Sequence, residues 1–132
     1  WYSVVDGSNM ESAVLLETGK QSFQIDTHTG RLMMNFHNIF TELITKFHPD
    51  IIAYKLSLKV NMKQIPYMHF SIGVLNLLCI QNNIAVTERS NQWITAGKRV
   101  KIINCTEHFS DMRFRTDEEM QATLIAWFEI GQ

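Results

Sequence analysis

Cysteine, proline and glycine are all scarce in this chain, with two, two and six copies among 132 residues. Cys79 stands in an apolar helical run and Cys105 near the start of a polar segment. They share no short repeated spacing, which excludes a zinc motif and a disulfide framework and leaves reduced, buried thiols as the expectation. Asn104-Cys105-Thr106 has the pattern of a glycosylation sequon, but no secretory cue accompanies it, and a cytoplasmic location is expected. The longest apolar runs are far short of a membrane span. A net charge of −1 supplies no global field, so any polyanion site must be a local patch. His28, His37, His48, His69 and His108 share no metal-ligand spacing, and His69 reads as a structural helix residue. No Ser-His-Asp or Cys-His set emerges, and Gly97-Lys98 lacks the remainder of a phosphate-loop pattern.

What is present describes an ordinary globular chain, 45% hydrophobic and 19% charged, read as one domain over residues 1–132. Strands are expected over Tyr2 to Asp6, Ser12 to Glu17 and Gln21 to Asp26, joined by the turn sequences Asp6-Gly7-Ser8-Asn9 and Thr18-Gly19-Lys20. The period then changes. Leu32, Phe36, Ile39, Phe40, Leu43, Ile44 and Phe47 recur at spacings of three and four, which predicts a helix ended by Pro49. A short apolar strand follows over Ile51 to Leu56, then a helix over Pro66 to Gln81 and a strand over Ile84 to Thr87. Residues 88–116 are polar and irregular, with a short helix expected at Asn91 to Thr95 and a strand at Val100 to Ile103. A helix over Asp117 to Glu129 closes the chain. This order, βββαβαβα, predicts an α/β fold: a mixed five-stranded sheet with helices on both faces.

The order and several segments resemble the ribonuclease-H-like fold and, within it, the RuvC-type Holliday-junction resolvases. Glu42 to Leu58, "ELITKFHPDIIAYKLSL", is similar to that family's helix ending in Phe-x-Pro-Asp and its following strand with Ala-x-Glu. Val4-Val5-Asp6-Gly7-Ser8 resembles the first strand, and Asp117 to Ala126 resembles the acidic, alanine-rich last helix. The similarity covers most of the chain and is poorest over residues 88–116. It implies carboxylates converging on two Mg or Mn ions that activate water and stabilise the leaving oxygen. Carried across residue by residue, Asp6 is the first-strand acid. Lys55 falls on the central glutamate of Ala-x-Glu, and Gln121 falls on an aspartate of the last helix. Glu118, or Asp117 in a shifted register, stands as a retained acid, so Asp6 and Glu118 are the candidate metal ligands. Exchanging a carboxylate for an ammonium changes the local charge by two units. At 4 Å and an effective dielectric of about 20, one unit charge is worth roughly 4 kcal/mol. The resemblance therefore implies a degenerate, metal-poor site in which Lys55 can neutralise Asp6.

Plainer readings stand beside these. Asp6 can belong to a tight Asx-type turn, and Lys55 can be a strand-end lysine reaching for water. Asp117, Glu118 and Glu119 suit a helix first turn behind the cap Thr116. Two basic groups offer phosphate contacts: Lys55, Lys59 and Lys63, and then Arg89, Lys98, Arg99 and Lys101 around Trp93, whose ring could stack on a base. Three functions follow. The first is a nuclease-like protein that binds DNA, RNA or a protein partner without two-metal cleavage. The second is an active Mg- or Mn-dependent endonuclease for branched DNA, using Asp6, Glu118 and Asp117. The third is an assembly module, dimeric through the Pro66 to Gln81 helix.

Overall fold

The computed structural model of the chain describes residues 1–56 and 62–131. Strand β1 (Tyr2–Asp6) pairs antiparallel with β2 (Val14–Gly19). Their register shifts between Val4 and Val5, leaving Leu16 as the extra residue of a bulge. Tyr2 lies opposite Gly19, and a Cβ on Gly19 would stand 2.6 Å from the Tyr2 ring, so any larger residue there must push that ring aside. Between the strands, Ser12 N–H donates to Asn9 Oδ1 at 2.9 Å. The turn after Asp6 is thus closed by Asn9.

Helix α1 (Thr29–Phe47) follows the predicted apolar spacing, and His48 ends it in the left-handed region at φ 46° just before Pro49. Strand β3 (Ile51–Tyr54), helix α2 (Ile65–Gln81) and strand β4 (Ala85–Glu88) come next, with a 3-10 turn at Met62–Gln64 before α2. Ala85 N–H donates to Asp50 C=O and Arg89 N–H to Tyr54 C=O, at 3.1 and 2.8 Å. Both partners advance by the same step, so β3 and β4 run parallel with α2 as their crossover. Helices α3 (Asn91–Thr95), α4 (Lys98–His108) and α5 (Asp117–Ile130) complete the chain.

The five-stranded sheet is not what forms. Among the described residues the strands make two separate two-stranded sheets, β1–β2 and β3–β4. The expected strand at Gln21 to Asp26 is irregular, because Phe23 is drawn onto α1, its ring 4.7 Å from that of Phe36. Val100 to Ile103 lies inside α4, where Ile102, Cys105 and Phe109 recur at helical spacing and Cys105 is fully buried. There β-branched content was outweighed by the burial of one helix face.

Two compact units divide the chain. One comprises Trp1–Gln21, Ala53–Lys55 and Glu88–Gln132, the other Ser22–Ile52 and Leu56–Thr87. The first is built on Ala13, Cys105, Phe109, Leu124 and Trp127, with Trp127 Nε1 donating to the Met10 carbonyl at 2.9 Å. His108 stacks on Trp127 and bonds the Ala13 carbonyl, fixing α4 to the start of β2. The second is built on Leu32, Phe36, Val74 and Leu78, where α1 packs on α2. Among the described residues no helix is long and apolar enough to cross a membrane.

Candidate functional site

Helix α5 lies against β1 and β2. Ser3 Oγ and Thr123 Oγ1 are 2.7 Å apart, and Thr18 Oγ1 donates to Glu119 Oε1 at 2.6 Å. Lys55 follows the last residue of β3 and is half-buried, as is Gln121 on α5. The Lys55 ammonium donates to Gln121 Oε1 at 2.9 Å. The two residues that occupy expected acid positions therefore meet each other. An ammonium offers donors only, so the Gln121 amide must present its oxygen to Lys55 and turn its NH₂ away. That NH₂ has no hydrogen-bond partner among the described residues.

Asp6 is exposed at the end of β1, and Asp117 and Glu118 are exposed in the first turn of α5. Among the described residues no three His, Cys, Asp or Glu side chains gather where they could hold a metal ion. A two-ion centre needs several converging anionic oxygens. Neither the Lys55 ammonium nor the Gln121 amide supplies one.

Helix α5 buries two acids, Glu119 and Glu129, and Glu119 is fully shielded from solvent. It accepts from the Thr18 hydroxyl, from the Arg115 backbone N–H at 2.7 Å and from the Arg115 guanidinium at 3.2 Å. The Thr18 hydroxyl foremost, with these Arg115 donors, outweighs burial and holds the carboxyl down at about 2. Its N–H donates to Thr116 Oγ1, the helix cap, at 3.2 Å. The Thr-x-x-Glu capping signature of Thr116 and Glu119 is legible in the sequence, beside the exposed Asp117 and Glu118. What the signature does not reveal is Thr18, the distant partner that makes the residue a tertiary anchor.

The basic groups are distributed unevenly. Arg89 and Lys101 both lie over the half-buried Trp93 ring, at 4.8 and 4.1 Å from its centre, and Phe128 meets its edge at 5.6 Å. Arg89 also pairs with the buried Glu129, a partner the sequence did not single out. Lys98 is half-buried and Arg99 exposed at the start of α4. Lys63 is exposed in the 3-10 turn of the other unit, and Lys59 lies outside the described residues.

No protein-family model matches the sequence, nor does any curated protein. Solved structures do. Thermus thermophilus RuvC in complex with Holliday junction substrate superposes with a TM-score of 0.72 at 13% identity, over 95% of this chain and 81% of that one. A second Thermus thermophilus RuvC structure gives a TM-score of 0.70 at 14% identity, with the same coverage. Identity this low speaks for the fold and not for the chemistry. On that evidence the chain has a RuvC-like fold.

Proposed function

We propose that this chain is a RuvC-like, nucleic-acid-associated protein that binds nucleic acid or a protein partner without two-metal phosphodiester cleavage. The observation that supports it is the 2.9 Å hydrogen bond from Lys55 to Gln121, at two places where the resemblance puts carboxylates. Nucleic acid is the preferred partner because RuvC has been solved on a Holliday junction and because cations cluster at Arg89, Lys98, Arg99 and Lys101. Arg89 and Lys101 cover Trp93 and are held by Glu129 and the Trp93 carbonyl, so this group offers phosphate contact through Lys98 and Arg99 rather than base stacking.

A mobility-shift series on linear, flapped and four-way DNA and on RNA, at several salt concentrations with EDTA or manganese, tests the proposal. Salt-dependent binding without cleavage is expected. Cleavage in manganese that disappears in Asp6→Asn would replace it with an active Mg- or Mn-dependent site built on Asp6, Glu118 and Asp117. Absence of any binding would remove the nucleic-acid reading.

A second reading, homodimeric assembly through α2, has its own support. No Asp, Glu, Lys or Arg occurs from Ile65 to Gln81, and Leu77 and Ile80 are 54% and 78% exposed. Light scattering should then report a dimer that Ile80→Glu converts to monomer; a wild-type monomer at high concentration would end this reading.

A further inference from the structure

We infer that residues 21–25 form a strap with two positions: they rest on α1 through Phe23 and exchange onto the open edge of β2 as a third strand. This holds whether or not the chain binds nucleic acid. Among the described residues β2 pairs only with β1, so its outer edge carries unspent N–H and C=O groups. Val14 and Leu16 on that strand are apolar and exposed, at 58% and 56%, and Leu16, the bulge residue, has no partner on β1. The stretch that follows β2 is in a matching condition. Among the described residues its backbone makes no hydrogen bond from Gln21 to Ile25, and Ile25 is 56% exposed. What holds it is the Phe23 ring, 4.7 Å from that of Phe36 and 6.0 Å from that of Phe40.

Chain continuity sets the register of the exchanged state. Gly19-Lys20 has the Gly-x form of a two-residue type II′ hairpin turn. Closed there, Thr18 stands opposite Gln21 and Glu17 opposite Ser22. Leu16 then meets Phe23, Leu15 meets Gln24 and Val14 meets Ile25, so each exposed apolar side chain of either stretch gains an apolar partner. A slip of one residue would set Leu16 against Ser22 or Gln24 and lose both apolar pairs. The turn requires a positive φ at Gly19, which the resting conformation does not have. Glycine reaches that region without steric cost, which makes Gly19 the hinge. The exchange trades the ring contacts of Phe23 on α1 for cross-strand pairs and ladder bonds, and the two sides are of similar size. Such near balance is what keeps both positions populated.

The test is NMR on the full chain. Relaxation dispersion of the methyl groups of Val14, Leu16 and Ile25 should report exchange in the wild type. Ile25→Pro removes the N–H that this register gives to the Val14 carbonyl and leaves Phe23 in place, so the exchange should vanish while the rest of the spectrum is retained. Phe23→Thr releases the resting contact and should raise the paired population about fivefold, as loss of an aromatic pair does. Hα–Hα cross-peaks between Glu17 and Ser22 and between Leu15 and Gln24, the non-hydrogen-bonded pairs of this register, should then come into view.

Wild-type methyls without dispersion, together with no cross-peaks in Phe23→Thr, would overturn the strap. Cross-peaks at full strength in the wild type would overturn it too, because the stretch would then have a single position on β2. If Phe23→Thr unfolds, Ile25→Pro decides alone: exchange that survives that substitution refutes the hairpin, and exchange that disappears supports it.

Discussion

Replacing Glu119 with glutamine keeps the shape of the side chain and one of its oxygens while removing the charge that Thr18 and Arg115 address. The carboxyl is held at about 2 against an ordinary 4.5. At about 1.4 kcal/mol per unit, the ionised form contributes about 3 kcal/mol to folding at neutral pH. Because the folded value is the depressed one, this stability is complete above the unfolded value. It is lost as the pH falls from about 4.5 towards about 2. Urea unfolding of wild type and Glu119→Gln, followed by the fluorescence of the buried Trp127, measures it directly. The variant should be about 3 kcal/mol less stable at pH 7, and the gap should shrink below about 1 kcal/mol by pH 2.5. A gap that stays constant with pH, or one under about 1 kcal/mol at pH 7, would refute the assignment of Glu119 as a charged anchor between α5 and β2.

Other substitutions probe neighbouring parts of the same unit. Leu124, fully buried in its cluster, should cost about 2–5 kcal/mol on change to alanine, read as a lower Tm with unchanged secondary structure. Glu129→Ala strands Arg89 in a largely buried setting and should cost about 2–3 kcal/mol, with much of the loss recovered when Arg89 is also removed in a double-mutant cycle. Gly19→Ala drives a methyl to 2.6 Å from the Tyr2 ring and should cost about 1–3 kcal/mol in urea unfolding.

Local pattern was enough wherever a segment's own residues decide its conformation. The apolar spacing from Leu32 to Phe47 and the stop at Pro49 delivered α1, and the short helix at Asn91–Thr95 was placed as it occurs. Local pattern misled where a distant partner chose between two local options. Phe23 belongs to the α1–α2 cluster instead of a strand, and Val100 to Ile103 coils because Cys105 must reach the core. The same holds for the site. Resemblance put Lys55 and Gln121 at two acid positions, but treated them as separate losses.

By itself, then, the sequence determined helices α1, α2, α3 and α5, strands β1 to β4 and the chemical identity of the side chains at the expected acid positions, while α4 and the loss of the strand at Gln21 to Asp26 escaped it. The tertiary structure alone decided that Lys55 and Gln121, 66 positions apart, share one hydrogen bond. It also decided that Glu119 and Glu129 are carboxylates taken into the interior. Such partnerships depend on which helix face lies over which strand. That choice is made by the burial of remote apolar groups, and no local pattern records it.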